Sequence, residues 1–389
     1  MFVDLLEKYN PNLITTAHAM HREGRAEPDT YIIDMDSILH NAQVISSTAS
    51  RYGVRLYFMS KQLGRNPFVA SRVIDTGMDG AVAVDVREAQ TLSRGGVPVR
   101  HVGNLVQIPE GMLDSVLDMK PEVVTVFSAE KAAAVSEAAV RRGIVQGIML
   151  RTRGDEDVVY PSQEGGFSLY DIKRTVPDLL NLKGIRIAGL TSFPCFLFNE
   201  TTKRAEPSPN LFTLLKAKEL IEREFGLGLE QINLPSSTSP ETIPKIAALG
   251  GTHGEPGHSV SGTNPENMYC EHPLPPALVY LTEVSHHTDG DSLCFGGGYY
   301  RRSHLENALV CTESGIVRTD VCPPPPESID YYIRIRGRFP PGSCVVMCFR
   351  TQIFVTRSRV ALVEGVRSGD PRLLGVWDSL GRAISAESG

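Results

Sequence analysis

Hydrophobic positions fall in short runs along most of the chain, and the runs alternate with longer amphipathic stretches. The first 28 residues set Leu5, Leu6, Leu13 and Ile14 among polar neighbours, which predicts a helical segment (1–28) closed by a turn at Glu27-Pro28. Runs rich in β-branched or apolar residues follow at 31–35, 56–59, 80–84, 99–102, 123–127, 147–150, 185–190, 231–234 and, weakly, 247–253. Helical patterns separate most of them. Asp85 with Glu88 three positions on reads as a capping box, and Ser128 opens a second helix that ends on Arg141-Arg142 and stops at Gly143. Such alternation predicts βα units and a parallel sheet. Nine runs is one more than a barrel of about eight strands needs. Either the first is an entry strand outside the barrel or one of the nine is not a strand. No glycine-rich nucleotide fingerprint follows the early runs, so a (β/α)8 barrel over 29–270 is expected in place of an open doubly wound sheet.

The texture changes near residue 270. Strand-like runs at 277–284, 292–295, 331–335, 344–356 and 360–366 predict a mostly-β C-terminal domain (271–389), with Pro323–Pro326 as a connecting loop.

Composition narrows the function classes. The 389 residues are 41% hydrophobic and 22% charged with a net charge of −6, which excludes a disordered or collagen-like chain. The acidity argues against nucleic acid or an anionic membrane as the main partner. No apolar run approaches the ~20 residues of a membrane span. The opening MFVDLLEKYN lacks a basic n-region, so no secretory signal is read. Seven cysteines, an odd number without a CxxC pair, point to a reduced, cytoplasmic protein. No metal site is expected: His286 and His287 would face opposite sides of a strand, and neither His253 with His258 nor Cys270-Glu271-His272 completes a ligand set.

Four segments could carry chemistry. Lys61 follows a buried run, where an amine in a barrel mouth becomes a Schiff-base nucleophile, or it is simply an exposed strand-end lysine. Gly251–Thr263 offers free backbone N–H groups with Ser259, Ser261 and Thr263 for a phosphate, or is a plain turn. Glu255 within it would repel a phosphate and suits a protonated pyridine nitrogen instead. Ser236 and Ser237 form a second hydroxyl cluster or a helix cap, and Tyr299-Tyr300-Arg301-Arg302 supplies phenols and guanidiniums or a surface arginine pair.

Together these segments resemble the fold-type III pyridoxal 5'-phosphate (PLP) enzymes, the alanine racemase and basic amino-acid decarboxylase superfamily. YIIDMDSILHNAQ is similar to its entry strand, and Gly165-Gly166-Phe167 to its turn after the Arg151 run. LYFMSKQLGRNP, GLTSFPC, GEPGHSVSGT, FGGGYYRRSH and MCFRTQIFVTRS look like the YhfX-type branch. The resemblance implies a homodimer with shared active sites and PLP bonded to Lys61. It assigns cofactor contacts to Arg151, Ser192, Ser236, Ser237, Glu255, Gly257, His258 and Ser259. Glu255-Pro256-Gly257-His258 is decarboxylase-like, whereas racemases carry an arginine against the ring nitrogen. Ser192-Phe193 replaces a histidine of both groups, and the acidic groups that hold a second amine are absent. The expectation is a racemase or epimerase acting at the α-carbon of an amino acid. Lys61 would be one base and Tyr299, Tyr300 or Cys348 the other, with Arg301, Arg302 and Arg350 facing an extra anionic group. A decarboxylase is the alternative. A non-catalytic PLP carrier is another, because His101-Val-Gly-Asn-Leu-Val-Gln107 is similar to the motif of barrel-only carriers.

Overall fold

The computed structural model describes residues 2–386. The chain forms two compact units, one of Gln43–Ser60 with Ala70–Gly257, the other of Met1–Ala42, Lys61–Val69 and His258–Gly389.

In the second of these, two helices, α1 (Phe2–Tyr9) and α2 (Pro11–Arg22), stand where a single helical segment is expected. Pro11 can begin a helix but cannot continue one, because it has no N–H to donate. Both helices bury Leu5, Leu6, Leu13 and Ile14 against Val279, Leu281, Val346 and Ala361 of a ten-stranded sheet. The strand β1 (Thr30–Asp34) lies in that sheet, so the first of the nine runs is outside the barrel.

The barrel occupies the other unit. Its strands are β2 (Arg55–Met59), β3 (Gly80–Ala83), β4 (Val99–Val102), β5 (Val123–Val126), β6 (Gln146–Arg151) and β7 (Ile185–Thr191). A hairpin of β8 (Phe196–Asn199) and β9 (Arg204–Pro207) intervenes, and β10 (Gln231–Asn233) with β11 (His253–Gly254) completes the ring. Closure runs in the order β10-β11-β2-β3-β4-β5-β6-β7, all parallel, so every strand ends at one rim. The expected strand at 247–253 is corrected: its first residues belong to a helix, Ile243–Ala248, and only His253 and Gly254 join the sheet. Without β1, two-residue β11 is the eighth strand.

Polar side chains fill much of the barrel. At the end where strands begin, Arg55 donates to Asp79 (2.7 Å) and to both oxygens of Glu122 (2.6 and 2.9 Å), and Gln231 donates to Glu122 (2.7 Å) and the Tyr57 hydroxyl (3.1 Å). Tyr57 stacks on His253, centroids 5.0 Å apart.

The remaining sheet runs β13-β16-β15-β14-β17-β12-β1-β18-β19-β20, where β12 is Leu278–Thr288, β13 Asp291–Phe295, β14 Asn307–Thr312, β15 Gly315–Cys322 and β16 Tyr332–Ile335. β17 is Cys344–Met347, β18 Arg359–Glu364, β19 Arg372–Asp378 and β20 Ala383–Ala386. β12 also pairs with β13, so six strands join in a ring of pairings. The expected strand 344–356 ends at Met347, and Ile353–Val355 is a 3-10 turn.

Two tests follow from barrel packing. Gly189 pairs with Gln231 and Met149, and a Cβ there would lie 2.0 Å from the Gln231 carbonyl oxygen. Gly189→Ala should lower the unfolding free energy by about 3 kcal/mol in urea titration, while Phe212→Ala, at an exposed position, should leave it nearly unchanged. Burial holds His253 neutral down to about 4. Its folded pKa is below its unfolded one, so its contribution is complete above about 6.5 and fades as pH falls toward 4. Between pH 7 and 4, His253→Phe should lose about 2 kcal/mol less stability than the native chain; equal losses would refute this.

Candidate functional site

Eight parallel strands deliver eight chain segments to one rim, and the polar groups concentrate there. Glu255 comes directly after β11 and is buried. Its Oε1 accepts from Asn233 Nδ2 (2.8 Å) and faces His101 Nδ1 (2.8 Å); its Oε2 accepts from Asn104 Nδ2 (3.1 Å). Its backbone N–H donates to Thr238 Oγ1 (2.9 Å). His101 is the third residue of β4, Asn233 the last of β10, and Asn104 lies two residues past β4. Burial alone drives a carboxyl toward its neutral form; several donors on one carboxylate oppose that.

Three buried atoms at this rim have no hydrogen-bond partner among the described residues: Thr191 Oγ1, Asn104 Oδ1 and Asn233 Oδ1. Orphaned buried polar groups cost about 1–3 kcal/mol each, so a polar ligand at the rim would be stabilised. A buried acid set among hydroxyl and amide groups fits the ring nitrogen of a heteroaromatic ligand with polar substituents. No cluster of three His, Cys, Asp or Glu residues that could hold a metal ion exists among the described residues.

Ser236 and Ser237 follow β10 with φ of 82° and 52°, a left-handed pair of non-glycine residues. Strain of this kind gathers at ligand sites. Ser236 Oγ donates to the Phe196 carbonyl (2.8 Å), and Ser192 Oγ to the Thr152 carbonyl (3.1 Å). Arg151 ends β6, buried, with its guanidinium 4.6 Å from the Phe127 ring centre and Nη2 donating to the Gln163 carbonyl (3.0 Å). The Phe167 N–H returns to the Arg151 carbonyl (2.7 Å), a turn in which a Cβ on Gly166 would stand 2.6 Å from that oxygen.

Lys61 lies in the 3-10 turn Ser60–Leu63, immediately after β2. Ser60 donates to Glu88 (2.6 Å), whose other oxygen accepts from the Val84 N–H (2.7 Å). Glu88 is therefore an anchor for the residue before Lys61, and the Asp85 side chain caps the helix by accepting from the Glu88 N–H. The Met59 N–H donates to the Pro256 carbonyl (2.9 Å), so the chain on either side of that bond carries Lys61 two residues on and Glu255 one residue back.

In the other unit, His258 Nε2 donates to the Thr351 carbonyl (3.0 Å), leaving Nδ1 to face Arg350 Nη2 (3.4 Å). Burial, then the charges of Arg350, Lys61 and Arg302 nearby, hold this imidazole neutral, well below the ordinary histidine range. The charges of Arg350, Arg302 and Lys61 thus all bear on this one imidazole. Arg301 instead donates to the Pro326 carbonyl at the surface. Tyr299 is partly exposed and anchored through its N–H to Asp330 (2.8 Å), and Tyr300 lies 5.8 Å from the Arg302 guanidinium. Cys348 is corrected as a candidate base. It sits in the apolar cluster beneath α1 and α2, its Sγ 3.6 Å from the Leu278 carbonyl, and burial pushes the thiol up to about 12. The residues the sequence reading missed are His101, Asn104, Thr125 and Asn233 as partners of Glu255. Their signal is polarity at inward positions near the ends of apolar barrel strands.

Residues 33–265 match the model of the alanine racemase N-terminal domain, and residues 279–373 that of the YhfX-like C-terminal domain. The chain is 45% identical over 388 residues to a protein of Escherichia coli K12 named "Uncharacterized protein YhfX", covering 99% of this chain and 100% of that one. Among solved structures it resembles an alanine racemase of Clostridium difficile 630 (TM-score 0.63, 14% identity, 91% of this chain and 99% of that one). It also resembles D-threo-3-hydroxyaspartate dehydratase of Delftia sp. HT23 (TM-score 0.64, 16% identity, 91% and 97%). At those identities the likeness is one of fold: a parallel barrel with a mostly-β C-terminal part. The chain belongs to the alanine racemase family, in its YhfX-like branch.

Proposed function

We propose that this protein is a PLP-dependent enzyme acting at the α-carbon of an amino acid, as a racemase or epimerase, on a substrate with an extra anionic group. The observation that carries the reading is Glu255, a buried carboxylate clamped by side-chain donors at the barrel rim. An ionised acid there suits a ring nitrogen that must keep a proton. When bound, PLP would supply an electron sink for negative charge developing at the substrate's α-carbon.

The chain's own residues would do the rest. Lys61 would hold the cofactor covalently and exchange the α-proton on one face. Ser236, Ser237, Gly257, His258 and Ser259 would hold the phosphate, with Arg151 and Ser192 toward the ring. Tyr299 or Tyr300, contributed by the second subunit of a homodimer, would serve the opposite face. Arg302 and Arg350, whose charges bear on His258, would hold the extra anion. Glu255 also favours a second reading, an amino-acid decarboxylase.

Borohydride reduction of the PLP-loaded protein followed by peptide mapping should place the pyridoxyl group on Lys61. A label on another lysine, or none with PLP in excess, would sink the reading. Turnover of a panel of L- and D-amino acids should show inversion of an acidic substrate by chiral chromatography without carbon dioxide. Carbon dioxide release would make the protein a decarboxylase. Absence of any α-proton exchange, with PLP passing readily to an apo-enzyme, would make it a carrier.

A further inference from the structure

The imidazole of His101 is fully buried inside the barrel and bridges two side chains. Nδ1 stands 2.8 Å from Glu255 Oε1, and Nε2 stands 2.7 Å from Thr125 Oγ1. An ionised carboxylate only accepts hydrogen bonds, so the proton on Nδ1 is fixed by Glu255. The Thr125 hydroxyl either donates to Nε2 or accepts from it, so in both cases Nδ1–H still points at the carboxylate. Asn233 shares the same oxygen at 2.8 Å, while Asn104 takes Oε2 at 3.1 Å.

With a pyridine nitrogen facing Glu255, one proton lies between a carboxyl oxygen and the ring. It can rest on oxygen, giving two neutral groups, or on nitrogen, giving a carboxylate and a pyridinium. Total charge is the same in both; only an O–H bond is exchanged for an N–H bond. Donors to the carboxylate stabilise the second state, and burial without donors stabilises the first.

We infer that His101 is a positioning residue that keeps Glu255 ionised, so that the shared proton stays on the cofactor's ring nitrogen. The inference rests on the function proposed above, and it gives His101 a role in tuning the ring. Thr125 assists by holding the imidazole with Nδ1 toward Glu255. One lost donor to a charged acceptor, worth about 1.5–3 kcal/mol, moves the proton balance by about ten- to a hundredfold.

PLP labelled with 15N at the ring, bound to the full-length protein, reports the proton directly by NMR. The native protein should give a protonated ring signal. His101→Phe fills the space but donates nothing, and should move the signal toward the unprotonated position. His101→Asn is smaller but retains an N–H donor, and should keep the protonated signal. A packing role predicts the opposite order, since Asn leaves a cavity and Phe does not. If His101→Phe fails to fold, as judged by circular dichroism, Thr125→Val should give a smaller shift in the same direction. A ring signal that stays protonated in every folded variant lacking the donor or its support would overturn the inference while leaving the proposed function standing. Failure of the native protein to bind PLP would overturn both.

Discussion

A carboxyl group buried inside a closed barrel and clamped by side chains from several strands is the constraint on which the rest of this structure depends. Placing a charge away from water costs several kcal/mol unless donors replace the lost hydration. Here the donors come from different strands: His101 from β4, Asn233 from β10, and Asn104 from the turn after β4. Asn233 pairs directly with His253, which sets it beside Glu255 two residues further along the chain, just past β11. The clamp therefore exists only when the ring is closed in the observed register. A slip of one residue would turn His101 or Asn233 outward and leave the acid unsolvated.

The two ends of the barrel divide the polar groups by purpose. Where strands begin, Arg55 is paired with Asp79 and Glu122 and Gln231 donates to Glu122, although Gln231 Oε1 and His253 Nε2 are buried without a partner among the described residues. Where strands end, Glu255 is clamped but Thr191, Asn104 and Asn233 each retain an orphaned oxygen. A network of ion pairs at one end and a clamped acid at the other is the pattern expected when one face carries stability and the other chemistry.

The barrel was legible because each inner strand is a short apolar or β-branched run bounded by turn residues, and because Lys61 and Glu255 sit where such runs end. The strand at β11 was not, because two residues have no period and a helix ends just before them. β15 escaped notice for another reason: Arg318, Thr319 and Asp320 split its apolar residues into the pairs Ile316-Val317 and Val321-Cys322, so no continuous apolar run marks it. Cys348 shows the limit of residue chemistry read without burial, since a thiol is a base only when something lowers its pKa. His101, Asn104 and Asn233 could be named from the sequence but not joined to Glu255, because their meeting point lies across a ring whose members are up to 154 positions apart.

The central claim is that the ionised Glu255 carboxylate supports chemistry at a substrate's α-carbon. Solvent deuterium exchange at the α-position, measured by mass spectrometry for the PLP-loaded native protein and for Glu255→Gln, tests it most directly. The account predicts that Glu255→Gln still binds PLP but exchanges at least ~100-fold more slowly, as expected for removal of an electrostatic contribution specific to the transition state. Exchange at the native rate in a folded, PLP-bound Glu255→Gln protein would contradict it.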